Sequence, residues 1–131
     1  MKNIHNKTKT LNEVNLLNFE DLLLHNPVHI ATVSKNGDAN LSIATATHIV
    51  DDNTFLICNK QMENTPDNVL ANGKIVLTCF NKNFEGIRLS GIASYETSGA
   101  MFDLVLNKYS GGRSTVKGCI VIKIFKIEEL V

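Results

Sequence analysis

The segment from Lys60 to Asn68 carries the residue types best suited to hold an anion. Thr65 suits a helix N-cap and Pro66 the first helical position, so a predicted strand leads here into a short predicted helix. Amides at a helix start lack intrahelical acceptors and attract phosphate, whereas Glu63 and Asp67 would repel it. An ordinary capped helix fits the same residues, and both interpretations stay open. The side chains that could add donors are Lys60, Asn64, Thr65 and Asn68.

The strand predicted to follow the first hairpin contains a run of small side chains, including Ser42, Thr45 and Thr47. Such a surface leaves room for a flat ligand, whose polar edge could be bound by backbone groups of the strand. The alternative is a tightly packed strand that contains threonine for its high β propensity. The sequence by itself fits both.

A glycine-rich basic loop spans Ser110 to Gly118. Its amides, with Arg113 or Lys117, could form a phosphate nest, or the loop could be a surface connection between two elements. Tyr109 precedes it and is either a stacking residue or an amphipathic residue at a helix end.

Other reaction chemistries lack the residue patterns that they require. The four histidines share no metal-ligand spacing, and Cys58, Cys79 and Cys119 are far apart, with no C-x-x-C pair. Each cysteine lies in an apolar run, which predicts reduced thiols in the core of a cytoplasmic protein. No nucleophile elbow, Walker A loop or dinucleotide fingerprint occurs.

Charge and hydropathy narrow the set of partners. Thirteen basic residues balance thirteen acidic ones, so we expect no nucleic-acid binding, which requires a basic surface. No apolar run approaches the roughly 20 residues of a membrane span, and the first ten residues lack the apolar stretch of a signal peptide. We therefore expect a cytoplasmic chain, with no membrane partner, that has a tail or arm at 1–12 and one domain at 13–131.

Hydrophobic periodicity predicts the element order α-β-β-β-α-β-β-α-β. Pro27 ends the first helix and Gly73 the second, Asn36-Gly37 predicts a hairpin with a type I′ turn, and Gly91 predicts a bend or close approach. Antiparallel neighbours with single helices favour a mainly β fold, a closed or nearly closed six-stranded barrel, over a flat sheet with helices on one face. The predicted strands are 28–34, 39–50, 54–59, 74–80, 87–97 and, starting at 116 or 119, the segment to 127; the helices begin near 14, 65 and 98.

Five landmarks along the chain carry a family resemblance. They are His29–Val33 with Asn36-Gly37-Asp38, Ala39–Ser42, Met62–Thr65 with Asn68-Val69, Asn72–Leu77, and Leu89–Ala93 with the following helix from Glu96 to Val105. In order and spacing they resemble the FMN-binding split-barrel family related to pyridoxamine 5′-phosphate oxidase, especially its small bacterial FMN-binding proteins. The resemblance covers Phe19 to Leu130 and implies a six-stranded antiparallel split β-barrel with short helices.

The resemblance also implies a homodimer with FMN at the subunit interface. The flavin ring would lie along the second strand and the phosphate at the loop and helix start, with Lys60 as a nearby cation. An aromatic residue near the end of the third helix would cover the ring from the partner subunit, and Tyr109 is the nearest match. The implied cofactor-binding residues are Ile43, Ala44, Thr45, Thr47, Lys60, Gln61, Met62, Asn64, Thr65 and Tyr109.

One departure from the family pattern affects the expected function. Asn64 replaces the phosphate-loop lysine beside Glu63, and losing that charge-assisted hydrogen bond costs roughly 1.5–3 kcal/mol unless Lys60, Arg113 or Lys117 offsets it. The first hypothesis is a flavin-dependent oxidoreductase or electron-transfer protein that uses a small-molecule electron donor or acceptor. It needs no catalytic acid or base, because the flavin carries the chemistry. The second is a non-catalytic module for haem, deazaflavin or another ligand.

Overall fold

Strands dominate the fold because apolar and polar side chains alternate at a period of two over much of the chain. The computed structural model, which describes residues 8–109 and 116–130, places these strands in one curled antiparallel sheet. The predicted mainly β class with short helices is therefore confirmed. The strands are β1 Thr8–Thr10, β2 Val28–Val33, β3 Ala39–Ala44, β4 Ala46–Ile49, β5 Thr54–Asn59, β6 Lys74–Phe80, β7 Gly86–Glu96 and β8 Gly118–Leu130.

The strand order explains how the sheet curls. Seven strands neighbour one another as β3-β2-β6-β7-β8-β5-β4, and β1 pairs with the end of β8. The outermost strands of this order, β3 and β4, are joined through the single residue Thr45. The two edges of the sheet must therefore meet at Thr45, as in a split barrel.

The predicted count of six strands is wrong, since the described residues form eight. The predicted strand 39–50 divides at Thr45, because β3 pairs with β2 whereas β4 pairs with β5 on the other edge. A straight strand cannot reach both partners, so the chain bends between them. The other additional strand is β1, which lies within the segment predicted as an arm and pairs with Glu128–Leu130.

Three short α-helices pack on the sheet: α1 Glu20–His25, α2 Asn64–Asn72 and α3 Ala100–Lys108. A 3-10 helix at Leu16–Phe19 precedes α1, and the Asn15 side chain caps it by accepting from the Leu17 amide at 3.1 Å. The helical segment predicted to begin near 14 therefore begins at Leu16, with Asn15 as its cap. Gly73 ends α2 as predicted, with a left-handed φ of 71° and its amide bonded to the Val69 carbonyl.

The predicted hairpin at Asn36-Gly37 forms between β2 and β3, but its turn is not type I′. In this turn only Gly37 has a positive φ, of 90°, and its amide donates to the Ser34 carbonyl at 3.0 Å. These features define a three-residue loop, in which a type I turn is followed by a left-handed glycine.

Both faces of β5 are buried, which divides the core into two clusters. Phe55 and Ile57 belong to the main cluster inside the curled sheet. Leu56 and Cys58 face the other way and pack with Val105 of α3. Since α3 covers the outside of β5, its C-terminal end is placed near the seam at Thr45.

Candidate functional site

The bend at Thr45 opens a groove at the seam of the sheet. Residues at the end of β3 form part of its wall, and the loop between β5 and α2 and the end of α3 complete it. The groove has a volume of about 390 Å³, within the range of roughly 300–1,000 Å³ typical of small-molecule sites. We call it the strand groove, and its lining residues are Ile43, Ala44, Thr45, Cys58, Lys60, Gln61, Met62 and Tyr109.

A second groove, of about 320 Å³, lies at the start of α2. It shares Gln61 and Met62 with the strand groove, so the two are contiguous. A single elongated ligand could therefore occupy both. We call this the helix-tip groove, and its lining residues are Asn40, Ser42, Gln61, Met62, Glu63, Asn64 and Thr65.

Hydrogen bonds of Thr65 fix the tip of α2 against β3. The helix begins at Asn64, so Thr65 is its second residue, and the prediction that Thr65 is the N-cap is wrong. Its buried hydroxyl accepts from Asn40 Nδ2 at 3.1 Å and lies 2.8 Å from Ser42 Oγ. The capping residue, Glu63, makes no side-chain cap bond, so no side chain of the cap competes with a ligand for the first amides of the helix.

The side chain of Asn59 holds the loop that the two grooves share. Asn59 is 2% exposed, and its Oδ1 accepts from the Met62 amide at 2.8 Å. Its Nδ2 donates to the Met62 carbonyl at 3.2 Å and to Tyr95 Oη at 2.8 Å. Both ends of a buried amide are thus satisfied by the loop and by Tyr95 of β7, which fixes the position of Met62.

A cation–π contact closes one end of the strand groove. The ammonium of Lys60 lies 3.9 Å from the centroid of the Tyr109 ring, a distance at which the ring quadrupole attracts a cation. Tyr109 therefore lines the groove of its own chain. It stands at the C-cap of α3, so the docking of α3 over β5 positions it.

The two grooves differ in charge. Among the described residues that line the strand groove, Lys60 is the one charged side chain. Among those that line the helix-tip groove, the one charged side chain is Glu63. Burial raises the pKa of the Cys58 thiol, an effect that Lys60 opposes. Burial, and then the neighbouring Cys58, raise the pKa of Tyr109. Both groups are therefore protonated at neutral pH, and Lys60 supplies the charge of the strand groove.

Nine of the ten residues expected to bind a cofactor line these grooves. Ile43, Ala44, Thr45, Lys60, Gln61, Met62 and Tyr109 line the strand groove, and Asn64 and Thr65 line the helix-tip groove. Thr47 lies away from both grooves in β4, where it is 5% exposed and donates to the Leu56 carbonyl at 3.2 Å. The glycine-rich loop with Arg113 lies largely outside the described residues.

Sequence reasoning missed Cys58, Asn59 and Asn40. Cys58 lies in an apolar run that reads as core, and only the side on which α3 packs shows that its thiol reaches the groove. Asn59 is the last residue of a strand, where an asparagine is an ordinary turn residue. Asn40 and Ser42 are two residues apart in β3, so both side chains lie on the inner face of the sheet. That alternation is the signal in the sequence that could have added Asn40 to the predicted site residues.

Residues 8–109 and 116–130 include no helix that is both long enough and apolar enough to cross a membrane. No group of three or more histidine, cysteine or acidic side chains there is arranged to hold a metal ion.

Comparison with known sequences identifies the family. The family model described as pyridoxamine 5′-phosphate oxidase matches residues 18–124. An uncharacterized protein of Methanocaldococcus jannaschii is 32% identical over 107 residues, which cover 79% of this chain and 72% of that protein. The match to the family model runs from the helical start of the fold into β8, and it includes all the residues that line the two grooves.

Solved structures show the same fold. HupZ of Group A Streptococcus has a TM-score of 0.77 at 25% identity, covering 85% of this chain and 90% of HupZ. An FMN-binding protein of Syntrophomonas wolfei has a TM-score of 0.67 at 23% identity, covering 89% and 83%. HutZ of Vibrio cholerae, described as a heme storage protein, has a TM-score of 0.63 at 13% identity, covering 83% of this chain and 85% of HutZ. An F420 reductase has a TM-score of 0.63 at 15% identity, covering 82% of this chain and 94% of the reductase. The family match and the shared fold agree, and the chain belongs to the pyridoxamine 5′-phosphate oxidase family of split β-barrel proteins.

Proposed function

We propose that this chain binds FMN in the two contiguous grooves and acts as a flavin-dependent oxidoreductase or electron-transfer protein. The observation that carries the proposal is the continuity of the grooves through Gln61 and Met62. One end is lined by small and apolar side chains of β3, and the other lies at a helix N-terminus. A planar ring joined to a phosphate has the same order of parts.

The strand groove suits the ring end of such a ligand. Ala44 and Thr45 are small, and Ile43 and Met62 offer apolar contacts. Thr45 lies between β3 and β4, outside both strands, so the ladder of the sheet leaves its backbone groups available to the polar edge of a ring. Lys60 favours any bound state that carries negative charge.

The helix-tip groove suits the phosphate end through neutral donors. The first amides of α2 lie at the positive end of the helix dipole, and Asn64 and the Asn40–Ser42–Thr65 cluster add polar side chains. Glu63 opposes an anion there. The donor set therefore fits a phosphate bound mainly by amides and hydroxyls.

Bound FMN would supply one- and two-electron transfer. The residues of this chain would bind and orient it. Asn59 fixes the shared loop and Met62, and the contact between Lys60 and Tyr109 limits the ring end of the groove. We propose no side chain as a catalytic acid or base.

A homodimer is part of the proposal, because the outside of the sheet carries apolar side chains next to the strand groove. Leu41 pairs with Ala31, which pairs with Val76 across β2. Contiguous exposed apolar surface is uncommon on monomers and marks interaction sites. We call this surface the outer sheet face, and its exposed large apolar residues are Leu41, Ile43, Val76, Ile92 and Phe125. Ile43 belongs to both surfaces, so a second copy on this face would border the ligand.

Titration with FMN tests the proposal directly. We expect the purified protein to quench flavin fluorescence with a saturable curve. A Thr45→Phe substitution fills the strand groove from a residue outside the strand ladders and should weaken FMN binding at least about tenfold, or 1.4 kcal/mol. Asn83→Phe, in an exposed turn far from the groove in sequence, is the matched control. Absence of quenching by the folded wild type, or equal affinity in the Thr45 variant, would refute FMN binding at this site.

A second candidate is a non-catalytic module for haem or a deazaflavin. The observation that favours it is Glu63 at the helix tip, with no cation among the described residues that line that groove. Parallel titrations with haem and with a deazaflavin separate the candidates. Saturable haem or deazaflavin binding together with no FMN binding would support this second function.

A further inference from the structure

Cys58 and Cys119 lie directly opposite each other on β5 and β8. Directly opposed residues of an antiparallel pair have Cα atoms about 4.5–5.5 Å apart and Cβ atoms about 4.5–5.5 Å apart. A disulfide requires a Cα separation of about 4.4–6.8 Å and Cβ atoms about 3.5–4.5 Å apart. Both side chains belong to the small cluster beneath α3 and thus lie on the same face. The backbone therefore meets the distance requirement of a disulfide, with at most a small approach of the Cβ atoms.

The third cysteine has no such neighbour. Cys79 of β6 pairs with Val28 on one side and Ile87 on the other, and it belongs to the main core. Cys79 is fully buried. It therefore serves as an internal control for any chemistry that depends on pairing.

The position of Cys58 gives the pair access to reagents. Cys58 lines the strand groove and is 9% exposed, whereas Cys119 is inaccessible. A small molecule that enters the groove therefore reaches Cys58 first, and Cys119 is its direct neighbour on β8.

From this geometry we propose that Cys58 and Cys119 form a reversible cross-strand disulfide, a two-electron redox centre in the wall of the strand groove. The oxidant is a low-molecular-weight disulfide. The Cys58 thiolate attacks it, and its sulfur–sulfur bond breaks to release one thiol and leave a mixed disulfide on Cys58. Cys119 then attacks Cys58 and releases the second thiol. Overall the chain loses two S–H bonds and gains one S–S bond, and the two electrons and two protons pass to the oxidant. No bound flavin takes part, so the pair is independent of the proposed function.

The surroundings of the two thiols set the rate of this reaction. Burial raises the pKa of both, that of Cys119 to about 12. The charged and titratable groups around them are Lys60, Glu96 and Tyr109, of which Lys60 lowers the Cys58 pKa and Glu96 raises that of Cys119. Since the thiolate is the nucleophile, disulfide formation is slow at neutral pH and accelerates as the pH rises.

The test uses the folded full-length chain and oxidised glutathione. After acid quenching, the protein is unfolded in denaturant at neutral pH, free thiols are blocked with N-ethylmaleimide, and the protein is digested with trypsin without reduction. The three cysteines fall in separate tryptic peptides, 36–60, 75–82 and 118–123. We expect the peptides that contain Cys58 and Cys119 to be linked, and dithiothreitol to separate them, while Cys79 carries the maleimide.

Three variants decide the outcome. Cys119→Ala should stop the reaction at a glutathione adduct on Cys58, Cys58→Ser should leave Cys119 free, and Cys79→Ala should form the link like the wild type. The wild type oxidised in denaturant should lose this pairing preference. Free Cys58 and Cys119 after prolonged oxidation of the folded chain at pH 8, a stable Cys58 adduct in the wild type, or links that involve Cys79 would each overturn the proposal.

Discussion

A single buried amide, that of Asn59, fixes the loop on which both grooves depend. Replacing it by alanine leaves the Met62 amide and the Tyr95 hydroxyl without their partner, because Asn59 serves both. Unsatisfied buried polar groups cost about 1–3 kcal/mol. We therefore expect Asn59→Ala to lower the free energy of unfolding by about that amount in urea denaturation. Asn83→Ala should change it by less than about 0.5 kcal/mol, and an equal loss in both variants would contradict the role of Asn59.

Asn64 is the neutral side chain at the proposed phosphate site of the helix tip. Asn64→Lys would place an ammonium in the helix-tip groove, and a charge-assisted hydrogen bond contributes about 1.5–3 kcal/mol. We expect FMN affinity to rise about tenfold or more while riboflavin affinity stays nearly unchanged. Ala71→Lys adds the same charge at the exposed far end of α2. Fluorescence titration with both flavins measures the ratio, and an equal gain for riboflavin would show that phosphate is not recognised at this position.

The ion pair between Arg88 and Glu128 makes the free energy of unfolding depend on pH in the acid range. Arg88 Nε and Nη2 donate to the two carboxylate oxygens at 2.9 and 3.1 Å, which holds the pKa of Glu128 below its ordinary value of 4.5. Because the folded pKa is depressed, the stabilisation is present above pH 4.5 and is lost as the pH falls through the folded value. Glu128→Gln should thus destabilise the protein at pH 7 and lose less stability than the wild type between pH 5 and pH 3. Thermal unfolding across that range provides the check, and parallel curves would contradict the assignment.

Among the elements, β7 and β8 depend on one glycine for their register. The pairing shifts between Ser90 and Gly91, and a Cβ at Gly91 would collide with the Lys123 carbonyl of β8. The bend or close approach predicted for Gly91 is confirmed. Since the obstacle is backbone, it cannot move without disturbing the ladder.

Gly91→Ala should therefore destabilise the sheet. Overpacking of this kind costs about 1–3 kcal/mol, to be measured as a loss in the free energy of unfolding. Ser94→Ala, at an exposed position of the same strand, should stay within about 0.5 kcal/mol of the wild type. Wild-type stability in Gly91→Ala would mean that the two strands can separate locally to admit a methyl group.

Local signals predicted most of the elements, but they did not predict the division of the strand 39–50 or the cap of α2. Pro27, Gly37 and Gly73 mark element ends wherever they occur, because their backbone preferences are intrinsic. The break at Thr45 has no such signal. The break arises because β3 and β4 pair with different strands. Likewise, the Thr65 hydroxyl does not cap α2, because it bonds to residues of β3 that are distant in sequence.

At the scale of the whole molecule, the proposed dimer uses the outer sheet face as its interface. We expect a dimer in sedimentation equilibrium, and Leu41→Lys should weaken dimerisation at least about tenfold, because it places a charge in an apolar interface. Leu41 is 70% exposed, and Leu70 of α2, at 67%, is a closely matched control away from this face. Leu70→Lys should keep the wild-type association constant. A monomeric wild type, or equal weakening by both substitutions, would show that this face is not the interface.

The sequence by itself determined the mainly β class, the order of the major elements and the two segments around Ile43–Thr45 and Gln61–Thr65 that line the grooves. The class and the order follow from alternation, helix-start chemistry and turn residues, all of which act over a few neighbouring positions, whereas the two groove segments were implied by the family resemblance. Only the tertiary structure placed Cys58 against Cys119, Tyr109 against Lys60, and Asn59 against Tyr95. Each of these contacts depends on which strands pair and where α3 docks, and long-range pairing is decided by the packing of the whole core rather than by any local pattern.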